Sequence, residues 1–328
     1  MPKRKSPRRG SMQYWPRVRS KRSYARLRNH NTALAKGTKA CGFAGYKVGM
    51  TQVTIVDNKK TSLTKGESVI IPVTVLECPP LKVYGVRFYT DDHVEGLKVA
   101  SEYVTKTNDK NLKRKVRVAK KDIPIKEVPN YNEIRLLVYT QPSLTSIGKK
   151  KPEIFEIAIS GSKEEQLSFA KENYGKEIKV TDVIEPGISV DTYAVTTGKG
   201  TQGPVKRFGV DIRRHKSEKT KRGPGSIAGG WKAQGHMMYR VAFAGQMGYH
   251  QRAEYNKWVV KIGDDPKEIN PKGGFVRYGN VKNTFMLLKG SIPGPSKRLI
   301  RFSSTIRPQK NQPTEAPIIK HISLESKQ

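Results

Sequence analysis

Acidic residues are scarce in this chain: 28 Asp and Glu stand against 63 Lys and Arg over 328 residues, a formal net charge of +35. A folded particle with that excess repels itself unless a polyanion neutralises it, so nucleic acid or an anionic membrane surface is the expected partner. Long apolar runs are lacking as well. The richest stretch, VIIPVTVLECPPL, is broken by Pro72, Glu77, Pro79 and Pro80, and nothing approaches the roughly 18 consecutive apolar residues of a spanning helix. No membrane partner is expected. The basic start, MPKRKSPRRGSMQYWPRVRSKR, has no apolar stretch of the secretory kind after it, so the chain is expected to act inside the cell. Only two cysteines occur, Cys41 and Cys78, and neither stands in a CxxC pair; neither a disulfide scaffold nor a zinc framework follows from them. The six histidines, His30, His93, His215, His236, His250 and His321, lack HExxH or comparable ligand spacing. No metal, cofactor or small-molecule substrate is implied.

The positive charge is concentrated. Residues 1–40 hold thirteen Lys or Arg and no acid, residues 199–261 hold fourteen against Asp211, Glu218 and Glu254, and together they supply +24 of the +35. The first segment lacks helical or strand periodicity and interleaves Arg with Tyr14, Trp15 and Tyr24. It is expected to stay disordered until bound, because it cannot bury enough apolar surface to offset ordering entropy. Tyr and Trp beside Arg supply stacking and phosphate contacts together, which a plain solvated tail would not need. In the second segment the run RRHKSEKTKRGPG leads into GSIAGGWKAQG, where Trp231 follows Gly229 and Gly230. Candidate RNA contacts are Arg8, Arg9, Trp15, Arg17 and Arg19 in the first segment. In the second they are Lys199, Lys206, Arg207, Arg213, Arg214, Lys221, Arg222, Gly229, Gly230, Trp231, His236, Arg240, His250 and Arg252. Glycines would admit close approach of backbone to a nucleic acid, the cations would neutralise phosphate, and an aromatic ring such as Trp231 would be able to stack on bases.

Between the two segments the text becomes β-branched. TQVTIVD (51–57), SVIIPVTVLE (68–77), KVYGVRFYT (82–90), EIRLLVYT (133–140), EIFEIAI (153–159) and TYAVTT (192–197) read as short strands separated by turn residues. One helix is predicted over 163–174, capped by Ser162 with Glu165 three residues on, and carrying Leu167, Ala170 and Tyr174 on one face. Residues 91–132 are ambiguous, and the run KNLKRKVRVAKK reads as a solvated face. Strands resume with KWVVKIG (257–263), GFVRYG (274–279), NTFMLLKG (283–290) and KRLIRFS (297–303). Strands on both sides of a basic loop of this length suggest one globular body with a protruding loop that is either functional or disordered.

Two local motifs fail on inspection. Gly198, Gly200 and Gly203 spell GxGxxG after a strand, but Pro204 follows, no apolar helical face appears, and Gly223 stands where the ribose-binding acid would be. With Lys199, Lys206 and Arg207 the stretch reads instead as flexible backbone approaching phosphates. GSIPGPSKRLIRF (290–302) lacks the GK[ST] ending of a P-loop and reads as a turn with a basic strand. Catalysis has little local support. An RNA-cleaving or RNA-modifying enzyme using His215, His236 or His250 is the competing reading, and a DNA-compacting protein a third.

Four stretches together carry a family resemblance: GFAGYKVGMTQV (42–53), GKGTQGPVKRFGV (198–210), GQMGYHQRAEYNKW (245–258) and GSIPGPSKRLIRF (290–302). In this order and spacing the chain resembles the L-three family of large-subunit ribosomal proteins, in its archaeal and eukaryotic branch. The resemblance implies a mainly β fold, a six-stranded translation-protein-type β-barrel with an added α/β subdomain and two long basic extensions. Accordingly, residues 1–40 are expected to be an RNA-bound amino-terminal extension and 41–198 barrel strands plus the α/β insertion. Residues 199–261 are the central extension tipped by Trp231, and 262–328 the remaining strands and tail. It further implies binding to large-subunit (23S-type) rRNA beside other large-subunit proteins in the cytoplasmic ribosome. The central loop would reach toward the peptidyl transferase centre, with a role early in assembly and no enzymatic activity. Eukaryotic members carry a modifiable histidine about a dozen residues before the tryptophan; here that place is near Lys219, with His215 the closest imidazole, and the modification is not carried over.

Overall fold

The computed structural model describes residues 11, 14–27, 30, 32, 37–121, 123–126, 130–216, 220–225, 227, 237 and 241–325. The elements run β1 (Gly42–Val56), β2 (Ser68–Glu77), β3 (Leu81–Asp92), β4 (Gly96–Val104), α1 (Lys110–Lys113), β5 (Glu133–Tyr139), β6 (Ile154–Ala158), α2 (Lys163–Glu172) and β7 (Glu177–Ile178). They continue with β8 (Ser189–Val195), β9 (Thr201–Gln202), α3 (Pro204–Phe208), β10 (Gly245–Gln246), β11 (Gln251–Gly263), β12 (Phe285–Lys289), β13 (Leu299–Ser304) and β14 (Ile319–Ile322). The protein is mainly β, in several sheets.

By internal contacts the chain divides into two units. One comprises residues 1–22 and 195–251, the other 23–194 and 252–328. In the larger unit, one sheet runs in the order β13-β8-β11-β12-β2-β1-β14, with β1 also pairing β13. A five-stranded sheet runs β4-β3-β5-β6, with β7 on β3. A single apolar cluster serves both sheets, drawing Phe43, Val75 and Phe302 from the first and Val86, Phe88 and Leu136 from the second. Phe285, Met286, Leu287 and Leu288 are all fully buried, so β12 is covered on both faces.

Helix α2 follows its punctuation. Ser162 and Glu165 form the reciprocal capping box, Glu164 and Glu165 sit in the first turn, and Lys171 sits in the last, all favourable to the helix dipole. Gln166 and Ala170, one turn apart, are buried, and Gln166 Oε1 accepts from the Ile134 amide (3.3 Å), docking the helix on β5.

Buried polar groups fix the loops. Glu77 is fully buried at the end of β2 and accepts from the Tyr278 hydroxyl, the amides of Lys282 (2.8 Å) and Asn283 (3.0 Å), and Asn283 Nδ2 (2.7 Å). Beside it the structure corrects a sequence expectation: GFVRYG is a turn, with Phe275 bridging to Gly279. Gly274, Arg277 and Gly279 take φ of +69°, +63° and +95°, which no strand sustains. Asp191 accepts from the amides of Asn256 and Ile306, both at 2.8 Å. On the outer side of β6 the carbonyls of Ile154, Glu156 and Ala158 accept from the Tyr24 hydroxyl (3.0 Å), Arg301 Nη2 (2.7 Å) and the Cys41 amide (2.8 Å). Residues of the basic amino-terminal stretch therefore belong to this packing: Ala25 and Leu27 are buried with Tyr193. Both cysteines are buried free thiols, and burial pushes the Cys41 thiol up to about 11.

Candidate nucleic-acid interface

The smaller unit is built on a stem. After β8 the chain leaves through Thr196–Gly200 and returns through Met247–His250. Thr196 N–H donates to the His250 carbonyl (2.9 Å), and Lys199 N–H and Met247 N–H reach the carbonyls of Met247 and Gly200, both at 2.9 Å. Antiparallel pairing of β9 with β10 extends the stem. Gly248 is required at its base: φ is +70°, and a Cβ there would lie 2.0 Å from the Thr197 carbonyl oxygen. Beyond β9, α3 opens with Pro204 in its first turn and stops at Gly209, whose φ of +68° lets the amide return to the Val205 carbonyl. The sequence reading found no helical face after Pro204. One exists, because Pro204 and Phe208 fall one turn apart and both are buried. Five residues make too short a helix for the dinucleotide fold, so that exclusion stands on different grounds.

The amino-terminal segment lies along this stem within the same unit. The Trp15 ring stacks on Phe208 (centroids 5.7 Å apart, 20° between planes). The Arg17 guanidinium sits over both rings, 4.4 Å from Phe208 and 5.7 Å from Trp15, with Arg207 on Phe208 at 5.0 Å. Arg207 in turn donates from Nε to the Gln246 carbonyl (3.0 Å) and from Nη1 to the Phe243 carbonyl (2.8 Å). Partial burial lowers its pKa from the ordinary guanidinium value. Farther along, Ser20 N–H donates to the Tyr249 carbonyl (2.8 Å) and Arg19 lies over the Tyr249 ring at 5.3 Å. His250 is buried with Nδ1 2.9 Å from the Val18 carbonyl, so that nitrogen carries the proton and donates.

Among the sequence-derived candidates, Trp15, Arg17, Arg19, Arg207 and His250 are thus brought together. Lys199, Lys206, Arg214, Lys221 and Arg222 are exposed, and Arg213 is half-buried with its amide on the Lys221 carbonyl (3.1 Å). Arg252 is half-buried on β11, in the larger unit. His250, by its burial and its bond to the Val18 carbonyl, fastens the strap to the stem. Arg8, Arg9, Gly229, Gly230, Trp231, His236 and Arg240 lie outside the described residues. Sequence reasoning missed Phe208, Gln246 and Tyr249. For Phe208 a signal existed in GPVKRFG, a proline start and a glycine stop around one apolar pair.

Cations laid over aromatic rings, a strap of Arg and Trp on a short paired stem, and a sequence carrying +35 describe a strongly basic, mainly β protein. A family profile described as "Ribosomal protein L3" matches residues 1–328. The chain is 46% identical over 341 residues to "Large ribosomal subunit protein uL3" of Methanosphaera stadtmanae, covering 100% of this chain and 99% of that one. It is 44% identical to the protein of that name from Methanobrevibacter smithii and 43% identical to the one from Archaeoglobus fulgidus, each over 98% of both chains. The chain belongs to the ribosomal protein L3 family, whose members are structural ribosomal proteins and not enzymes. These relatives are archaeal, which agrees with the branch read from the sequence.

Proposed function

We propose that the chain is a structural constituent of the large ribosomal subunit that binds and organises large-subunit (23S-type) rRNA. Whole-length membership of the L3 family carries the reading. The cytoplasmic ribosome is its place of action, with rRNA and other large-subunit proteins as partners; among the described residues no helix is long and apolar enough to cross a membrane. The larger unit corresponds in this reading to the translation-protein-type barrel with its α/β insertion. The strand path β13-β8-β11-β12-β2-β1, returning from β1 to β13, supports six barrel strands. The parts of the two basic segments that lie outside the larger unit, residues 1–22 and 199–251, are the extensions that thread into RNA, the central one reaching toward the peptidyl transferase centre with Trp231 at its tip. Exposed Lys199, Lys206, Arg214, Lys221 and Arg222 neutralise phosphate, and ordering of the extensions accompanies assembly at an early stage.

The experiment is sedimentation of the native protein through a gradient after a high-salt wash. Loosely held cationic proteins are stripped by counterion competition, whereas a threaded chain stays with the large subunit at about one copy each. Release to the top of the gradient, or migration with DNA, refutes the reading.

A further inference from the structure

The two margins of the five-stranded sheet are unlike. On the outer side of β6 three carbonyls are filled from elsewhere in the chain. At the opposite margin, β4 pairs with β3 alone among the described residues. The direction of its backbone follows from the end of the ladder. The Thr105 amide donates to the Tyr84 carbonyl (2.8 Å), so antiparallel alternation turns the amides and carbonyls of Glu102 and Val104 away from β3. Among the described residues nothing else takes them. This half of β4 is held in place, because Tyr103 meets the Phe88 ring edge to face at 5.8 Å and Glu102 accepts from Arg87 Nε (2.7 Å). A fixed row of unmade hydrogen bonds is a template for an added strand.

The first half of β4, with the turn that joins it to β3, is uncovered on both faces. Leu97 and Val99 lie on one face and Lys98 on the other, all three exposed, and Val94 in the turn is 92% exposed. Apolar side chains grouped on an open strand mark a contact surface. Charge selects what it contacts. Residues 91–104 hold four acids, Asp91, Asp92, Glu95 and Glu102, against Lys98 alone, in a chain of +35. Lys98 is spent on Glu95 (3.1 Å), and neither Asp91 nor Asp92 is in an ion pair among the described residues. Such a surface repels phosphate and attracts a cationic polypeptide.

We propose that β4 and the turn before it dock an extended, lysine-bearing segment of a second large-subunit protein. The segment adds a strand beside Glu102 and Val104, and its cations face Asp91, Asp92 and Glu95. The proposal rests on the ribosomal reading above and gives it a protein-binding surface on the larger unit. A neighbour that also lies on RNA carries cations for the reason this chain does.

Two readouts on the full chain, free and within native large subunits, test it. The amides of Glu102 and Val104 should exchange about tenfold or more slowly in the subunit than in the free chain. Zero-length carbodiimide coupling in the subunit, mapped by mass spectrometry, should join Asp91, Asp92 or Glu95 to a lysine of a different protein. Exchange at Glu102 and Val104 as fast in the subunit as in the free chain overturns the proposal. Slowed exchange without such coupling also overturns it and assigns the margin to RNA, and coupling only to a second copy of this chain refutes the stated occupant. Absence of the chain from large-subunit fractions is a different failure, that of the ribosomal reading itself.

Discussion

Replacing Phe208 by alanine removes the ring on which the amino-terminal strap rests. Phe208 is 6% exposed, stacked by Trp15 at 5.7 Å and flanked by Arg17 at 4.4 Å and Arg207 at 5.0 Å. An aromatic stack contributes about 1 kcal/mol beyond burial, each guanidinium over a ring about 0.5–1 kcal/mol, and a buried Phe→Ala change costs about 3–5 kcal/mol in a closed core. Trp15 is only half-buried, so the strap should lose about 3 kcal/mol of local stability, which speeds exchange of its amides about a hundredfold. Hydrogen exchange of the full chain reads this at Ser20, whose amide is held by the Tyr249 carbonyl. Amides of β5, in the other unit, should be unaffected. Phe208→Leu keeps most of the apolar volume and loses the ring, and should give about a tenfold effect. Unchanged exchange at Ser20 in the alanine variant, or equal acceleration in β5, refutes the strap as a separately fastened element.

Three further outcomes are expected. Glu77→Gln keeps one oxygen for the Lys282 and Asn283 donors but removes the charge and sets an NH2 against the Tyr278 hydroxyl, and should cost about 2 kcal/mol in a urea titration; a loss under about 0.5 kcal/mol contradicts the role given to Glu77. Burial, reinforced by Arg301 and Arg135, holds His30 down at about 3, against 6.5 when unfolded. Between those values the unfolded chain binds the extra proton, so stability is complete above 6.5 and falls on acidification at up to about 1.4 kcal/mol per pH unit. His30→Asn should remove that slope, and parallel profiles for the two proteins from pH 6.5 to 4.5 would reject it. Trp231→Ala should leave the isolated fold intact and alter chemical footprints around the peptidyl transferase centre in mutant ribosomes; identical footprints sink the proposed placement of the tip.

What was legible in the sequence was local. Strand β2 has the bounds its β-branched run gave, and the Ser162–Glu165 capping box marked the start of α2 correctly. GFVRYG misled because its alternation imitates a strand, whereas Tyr278 is turned to a carboxylate that lies 201 residues away in the chain. The strap was invisible for the same reason. Trp15, Arg17 and Arg19 read as groups awaiting RNA, and nothing near them in sequence announces rings at Phe208 and Tyr249. His250 read as a candidate RNA contact, and nothing in the basic text around it marked the burial and the bond to Val18. Basic composition located the charged segments; only the fold distinguished cations held by protein groups from cations exposed at the surface.

The outer side of β6 bears on the life of the chain before it meets RNA. A strand at the margin of a sheet ordinarily offers a row of acceptors to any passing strand, the usual start of aggregation. Here Ile154, Glu156 and Ala158 have theirs filled by a phenol, a guanidinium and an amide from elsewhere in the same chain. In the folded chain those three acceptors are already taken, so a second copy finds fewer of them to pair with at that margin.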